Sequence, residues 1–89
     1  MSTKNVDEIS PAQCRAGRAL LDLTQGGLAE AAGLGLSTVV DFEKNRRQVS
    51  QSAVASIRDA LKAAGVEFIQ ENGGGLGVRL KKRQQQKRG

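Results

Sequence analysis

Eighty-nine residues with 38% apolar side chains, two Phe and no Tyr or Trp make a single domain whose core is small, aliphatic and alanine-rich. One cysteine, Cys14, and no histidine rule out an internal disulfide and a thiol–imidazole zinc site, and the chain has no Ser–His or Cys–His pairing and no GxxxxGKS/T loop, so no enzyme, metal or cofactor is expected. The net charge of +5 resides entirely in Lys81, Lys82, Arg83, Lys87 and Arg88, because residues 1–80 balance nine basic against nine acidic groups. Any hold on a polyanion must therefore come from local placement of charge and from the basic end. No run of about 18 apolar residues is present, and the opening MSTKNVDEIS has no apolar block. The expected setting is a reducing cytoplasm, with no membrane contact.

Residues 1–9 read as a polar, flexible arm. Ser10-Pro11-Ala12-Gln13 is a helix start: serine caps, proline fits the first turn and Gln13 completes a capping box. This helix is expected from residue 11 to about residue 22, with Cys14, Gly17, Leu20 and Leu21 facing inward and Leu23 at its exit. Thr24 caps a second helix over 25–32, which Gly33 ends in the left-handed conformation that glycine tolerates best. Gly26 and Gly27 weaken its first turn by up to about 1–2 kcal/mol relative to alanine. They are either a tolerated weakness or room for a phosphate to approach the backbone. A third helix is expected from residue 36 to about residue 44 with Gly35 at its cap, followed by a basic loop over 45–49. Ser50 caps a fourth helix carrying Val54, Ile57, Ala60, Leu61 and Ala64, and Gly65 stops it. The periodicity then changes to alternation. Residues 66–71 are β-prone, Asn72-Gly73-Gly74-Gly75 is a turn, and Leu76, Val78 and Leu80 alternate with Gly77, Arg79 and Lys81. A hairpin over 66–82 is marginal alone, so its apolar face must cover the helices or meet a second copy, which makes it a candidate dimerisation element. Residues 83–89 read as a disordered basic tail, suited either to added phosphate contacts or to solubility.

The stretch TQGGLAEAAGLGLSTVVDFE is the most telling. Leu28, Ala29 and Ala32 form one apolar stripe, and Leu36, Val39, Val40 and Phe42 form another. Two helices this short cross steeply only if the crossing residues are small, as Ala29 and Ala32 are; this is the pattern of a DNA-binding helix-turn-helix. Its register resembles the phage repressor and Cro family, the XRE-type regulators. Gln25 opens the unit, Ala29 follows four residues on, Gly33 eight, Val39 fourteen and Phe42 seventeen, with Glu43 directly after. The resemblance covers residues 10–65. It implies a mainly α, four-helix lambda-repressor-like fold, to which the alternation past residue 65 adds a C-terminal β-hairpin, and double-stranded DNA as partner.

The third helix would present Leu36, Ser37, Thr38 and Asp41 to the major groove while Val39 and Phe42 anchor it. Leu36 can touch thymine methyls, Ser37 and Thr38 can bond base edges or phosphates, and Asp41 can accept from a cytosine amino group, although phosphates repel it. The competing role for Ser37 and Thr38 is to cap the helix. The resemblance implies that Gln25 contacts the DNA backbone and braces the recognition helix; the plainer role is a solvated first-turn residue. Lys44, Asn45, Arg46 and Arg47 either lie over phosphates or complement the helix dipole. The resemblance pairs Arg18 with Glu43 as an internal ion pair. Arg15 reads as solvated and Cys14 as a small buried hydrophobe. Together these features lead to a homodimeric transcription regulator, a repressor on a palindromic operator, of the kind that serves prophages, mobile elements and toxin–antitoxin operons in bacteria. Regulation is expected through concentration, a regulatory protein partner or competition for the operator. The alternative is a protein-interaction module of the same fold, an anti-activator or antitoxin.

Overall fold

Side-chain caps and left-handed residues cut the chain into its elements. The computed structural model describes residues 8–81. They form α1 (Pro11–Leu21), α2 (Gln25–Ala32), α3 (Leu36–Glu43), α4 (Gln51–Ala63), β1 (Val66–Ile69) and β2 (Gly77–Leu80). The architecture is mainly helical, with a two-stranded antiparallel hairpin at its C-terminal end. Residues 1–7 of the expected arm over 1–9, residue 82 of the expected hairpin and the tail over 83–89 lie outside the described residues.

The capping box of α1 is complete: the Gln13 amide donates to Ser10 Oγ at 3.0 Å, and the Ser10 amide donates to Gln13 Oε1 at 2.9 Å. The same glutamine reaches further. Its Nε2 donates to the Ile69 carbonyl at 3.3 Å and the Gly77 carbonyl at 3.0 Å. One buried side chain therefore caps a helix and lashes the hairpin to it. The helix ends at Leu21, one residue early, because Asp22 adopts left-handed backbone at φ 57°. Gly33 ends α2 at φ 71°, and Gly65, at φ 113°, turns the chain from α4 into β1. Thr24 Oγ1 accepts from the Gly27 amide at 2.9 Å, and Ser50 Oγ accepts from the Ala53 amide at 3.2 Å. Each cap relieves an orphan amide of a first turn.

Cys14, Leu28, Val39, Ile57 and Leu61 are fully enclosed, with Ala29, Val54 and Val66 beside them. Two expectations change here. Ile9 belongs to this core rather than to the flexible arm. Leu20, expected inside, is 42% exposed. The buried stripe of α1 runs through Cys14, Gly17 and the half-buried Leu21, and Leu20 sits about 100° round the helix from Leu21. In the hairpin, Val66 pairs with Leu80 and Phe68 with Val78 on one face. Val66, Phe68 and Val78 of that face pack on the helical core, while Leu80 and the turn residue Leu76 remain about half exposed. Strand β1 stops at Ile69, short of the expected residue 71. Glu71 instead closes the turn, its Oε2 accepting from the Gly73 and Gly75 amides at 3.2 Å each. Among the described residues no helix is long and apolar enough to cross a membrane.

Candidate nucleic-acid interface

The two helices of the central motif are set by packing on one side and by polar bonds on the other. Leu28 and Ala29 bury the inner face of α2, and Val39 buries that of α3, with Phe42 half-buried beside it. Helix α3 then shows its other side to solvent: Leu36 is 52% exposed, Ser37 is exposed, and Thr38 and Asp41 are partly so. Its N-cap is Gly35, which makes no side-chain cap bond. Ser37 and Thr38 therefore do not serve as caps, and the competing role considered for them falls away.

The C-terminal end of α3 is fixed by a buried carboxylate. Glu43 is enclosed, and four donors converge on it. Arg18 Nε meets Oε2 at 2.7 Å and Arg18 Nη2 meets Oε1 at 2.8 Å. Gln25 Nε2 donates to Oε1 at 3.0 Å, and the Cys14 thiol donates to Oε2 at 3.1 Å. Arg18 Nη1 also donates to the Leu23 carbonyl at 3.1 Å, which ties in the loop between α1 and α2. Burial pushes the Glu43 carboxyl up, but the bonds from Arg18, Cys14 and Gln25 and the charge of Arg18 outweigh it and hold the group below the ordinary carboxylate range. Burial, and then the bond to Glu43, push the Cys14 thiol up, so it stays protonated and remains a donor. The bond to Glu43 likewise raises Arg18.

Arg18 and Glu43 thus stand together as the expected pair. Two further partners, Cys14 and Arg15, were not legible as such, whereas the resemblance already implied a bracing role for Gln25. Cys14, read as a plain hydrophobe, bonds the carboxylate. Arg15, read as solvated, donates from Nη1 to the Glu43 main-chain carbonyl at 2.6 Å, closing the C-terminus of α3. Gln25 spends its amide nitrogen on Glu43, which places it as a brace between α2 and α3. The available signal was spacing: Cys14 and Arg18 are four apart and Arg15 and Arg18 three apart, so all three fall on adjoining faces of one helix. Gly27 also has a local reason. A Cβ there would stand 3.0 Å from Leu23 Cδ1 and 3.2 Å from Thr24 Oγ1, so glycine leaves room for the cap and for Leu23. Gly26 meets nothing closer than 3.9 Å.

The basic loop lies directly past α3. Lys44 is its C-cap, Asn45 takes left-handed backbone at φ 55°, and Arg46 and Arg47 follow, all exposed. The Arg46 amide bonds the Asp41 carbonyl at 2.9 Å and so folds the loop back under α3. The Asp41 carboxylate then receives Arg47 Nε at 2.7 Å on Oδ2, and Arg46 Nη1 stands 3.7 Å from Oδ1. Leu36, Ser37, Thr38 and Asp41 thus lie along α3, the 44–47 loop continues from its C-terminal end and pairs with Asp41, and Gln25 bonds Glu43 at that same end. Among the described residues no group of three or more Cys, Asp or Glu is placed to hold a metal ion. A helix-turn-helix family model matches residues 15–68, a span that runs from Arg15 through the motif and α4 to Phe68. None of the curated proteins matches the chain.

Proposed function

The chain belongs to the XRE-type helix-turn-helix family of DNA-binding regulators, and we propose that it is a repressor that binds a palindromic operator as a homodimer. One observation carries this reading: an outward face of α3 that no internal packing claims, held rigid by the Glu43 network behind it. Leu36 and Ser37 enter the major groove at the start of the helix, with Thr38 beside them, and Asp41 follows one turn on. Lys44, Asn45, Arg46 and Arg47 lie along the phosphates, where they position the helix without reading sequence. The first turn of α2, with Gln25 and the bare Gly26, faces the same backbone and suits an anion. The half-exposed Leu76 and Leu80 of the hairpin, with α4, supply the contact between copies. The protein acts in the cytoplasm and is regulated by its own concentration or by a protein partner.

Selection of bound duplexes from a random pool tests this. The expected result is a two-fold symmetric sequence with half-sites about 10 bp apart, and a Ser37→Ala/Arg46→Ala double variant that no longer shifts it. Fusion of that sequence to a reporter promoter should then lower expression when the protein is present. Failure to enrich any sequence favours a second reading, a protein-interaction module. The pairing of Asp41 with two of the loop cations is the observation on its side, because it lowers the positive potential of the presumed DNA face. In that case the outer edge of β2 offers a docking strand.

A further inference from the structure

We propose that Asp41 sets the specificity of this interface by withholding Arg46 and Arg47 from phosphates, so that binding to DNA at large is weakened more than binding to the operator. This rests on the DNA-binding reading and assigns a role within it. Asp41 lies on the outward side of α3 with its side chain 20% exposed, and both of its partners come from the loop meant for the phosphate backbone. Of the five charges in residues 36–48, Glu43 is already matched by Arg18. That leaves Asp41 against Lys44, Arg46 and Arg47. Two of the three cations are therefore shared with an internal anion before DNA arrives.

The pairs are built to exchange. Arg46 and Arg47 are 58% and 53% exposed, so water screens both contacts and neither arginine is locked. On an arbitrary duplex, moving both arginines to phosphates strands Asp41 beside the backbone anions with no donor in their place. On a duplex that offers a cytosine amino group to α3, the freed carboxylate gains a donor as the arginines gain phosphates. The wrong partner is thus penalised by an unpaired charge, a repulsive element that separates the two affinities alongside the attraction of the right contacts.

The experiment uses the full chain and its isosteric variant Asp41→Asn. Binding is measured to the selected operator and to a scrambled duplex of the same length and composition, over a range of salt. Asp41→Asn should bind the scrambled duplex several-fold tighter, with a salt slope steeper by about one, as for one further phosphate neutralised. The operator-to-scrambled ratio should fall about fivefold or more. Adding Arg47→Gln to Asp41→Asn should remove most of the gain on scrambled DNA, because the gain runs through the released arginine. The proposal is overturned if Asp41→Asn, with an unchanged circular dichroism spectrum, binds scrambled DNA no tighter than the parent. A gain that survives loss of both Arg46 and Arg47 overturns it too, since a plain charge effect then suffices. A parent chain that binds no duplex sinks the DNA-binding reading itself, a result recognisable before any variant is made.

Discussion

Asp41 and Glu43 are two carboxylates two residues apart on one short helix, and they do opposite work. The Glu43 side chain is 1% exposed and takes four donors from α1 and α2. The Asp41 side chain is 20% exposed and is met by two half-solvated arginines of its own loop. Burial makes the first pair costly to break, because each partner would leave a stranded charge in low dielectric. Solvent makes the second cheap, because water takes up either partner. A helix that must hold still yet meet a polyanion uses the first to stay rigid and the second to stay exchangeable.

The comparison breaks first at Glu43. Arg18→Ala should destabilise the fold by about 3–5 kcal/mol, read by chemical denaturation, and Glu43→Gln should fall near it; a loss under about 1 kcal/mol for both would place the network outside the stabilising core. The pH dependence follows from the depressed Glu43 carboxyl. In acid the unfolded chain binds a proton that the folded chain does not, so stability rises with pH in that window. This contribution is whole above the ordinary carboxylate value of 4.5 and is lost as the pH falls through Glu43's own lower value. Urea midpoints across that range should show the slope in the parent and a reduced slope in Glu43→Gln.

Smaller effects sharpen the picture. Cys14→Ala removes a buried donor and leaves a small void, for about 1–3 kcal/mol, while Cys14→Ser keeps the donor and should lose less. Arg15→Ala removes one bond to the end of α3, for about 0.5–1.5 kcal/mol, and should weaken operator binding with it. The Asp41–Arg47 pair comes last: a double-mutant cycle on stability should give a coupling of about 0–1 kcal/mol, although changes to the same residues should alter DNA discrimination.

Local chemistry was the legible part of this molecule. Ser10, Thr24, Gly33 and Ser50 act within four residues of themselves, so α2 could be placed to the residue and the other helices within one or two. The hairpin was visible as alternation about a glycine turn. What escaped depends on contacts between distant residues. Gln13 announced itself as a cap, but its second role, holding Ile69 and Gly77, spans more than fifty residues and has no period. Cys14 looked apolar because burial and polarity are not exclusive for a thiol that finds a carboxylate. Arg15 looked solvated because its partner is a main-chain oxygen, which no side-chain pattern reveals. Leu20 left the core because the width of the α1 stripe is decided by what packs on it, here α3, α4 and the hairpin, and Ile9 joined the core from outside the helix, ahead of the Ser10 cap, where no helical period marks it.

The most direct test of the central claim, that the outward face of α3 reads duplex DNA, is a random-pool selection run in parallel with the parent chain and with Ser37→Ala, Leu36→Ala and Asp41→Asn. The account predicts a symmetric motif for the parent and, among the variants, a change of preference confined to the same base position in each half-site. An unchanged motif with Ser37→Ala, Leu36→Ala and Asp41→Asn alike would contradict it, because the sequence would then be read by some other surface.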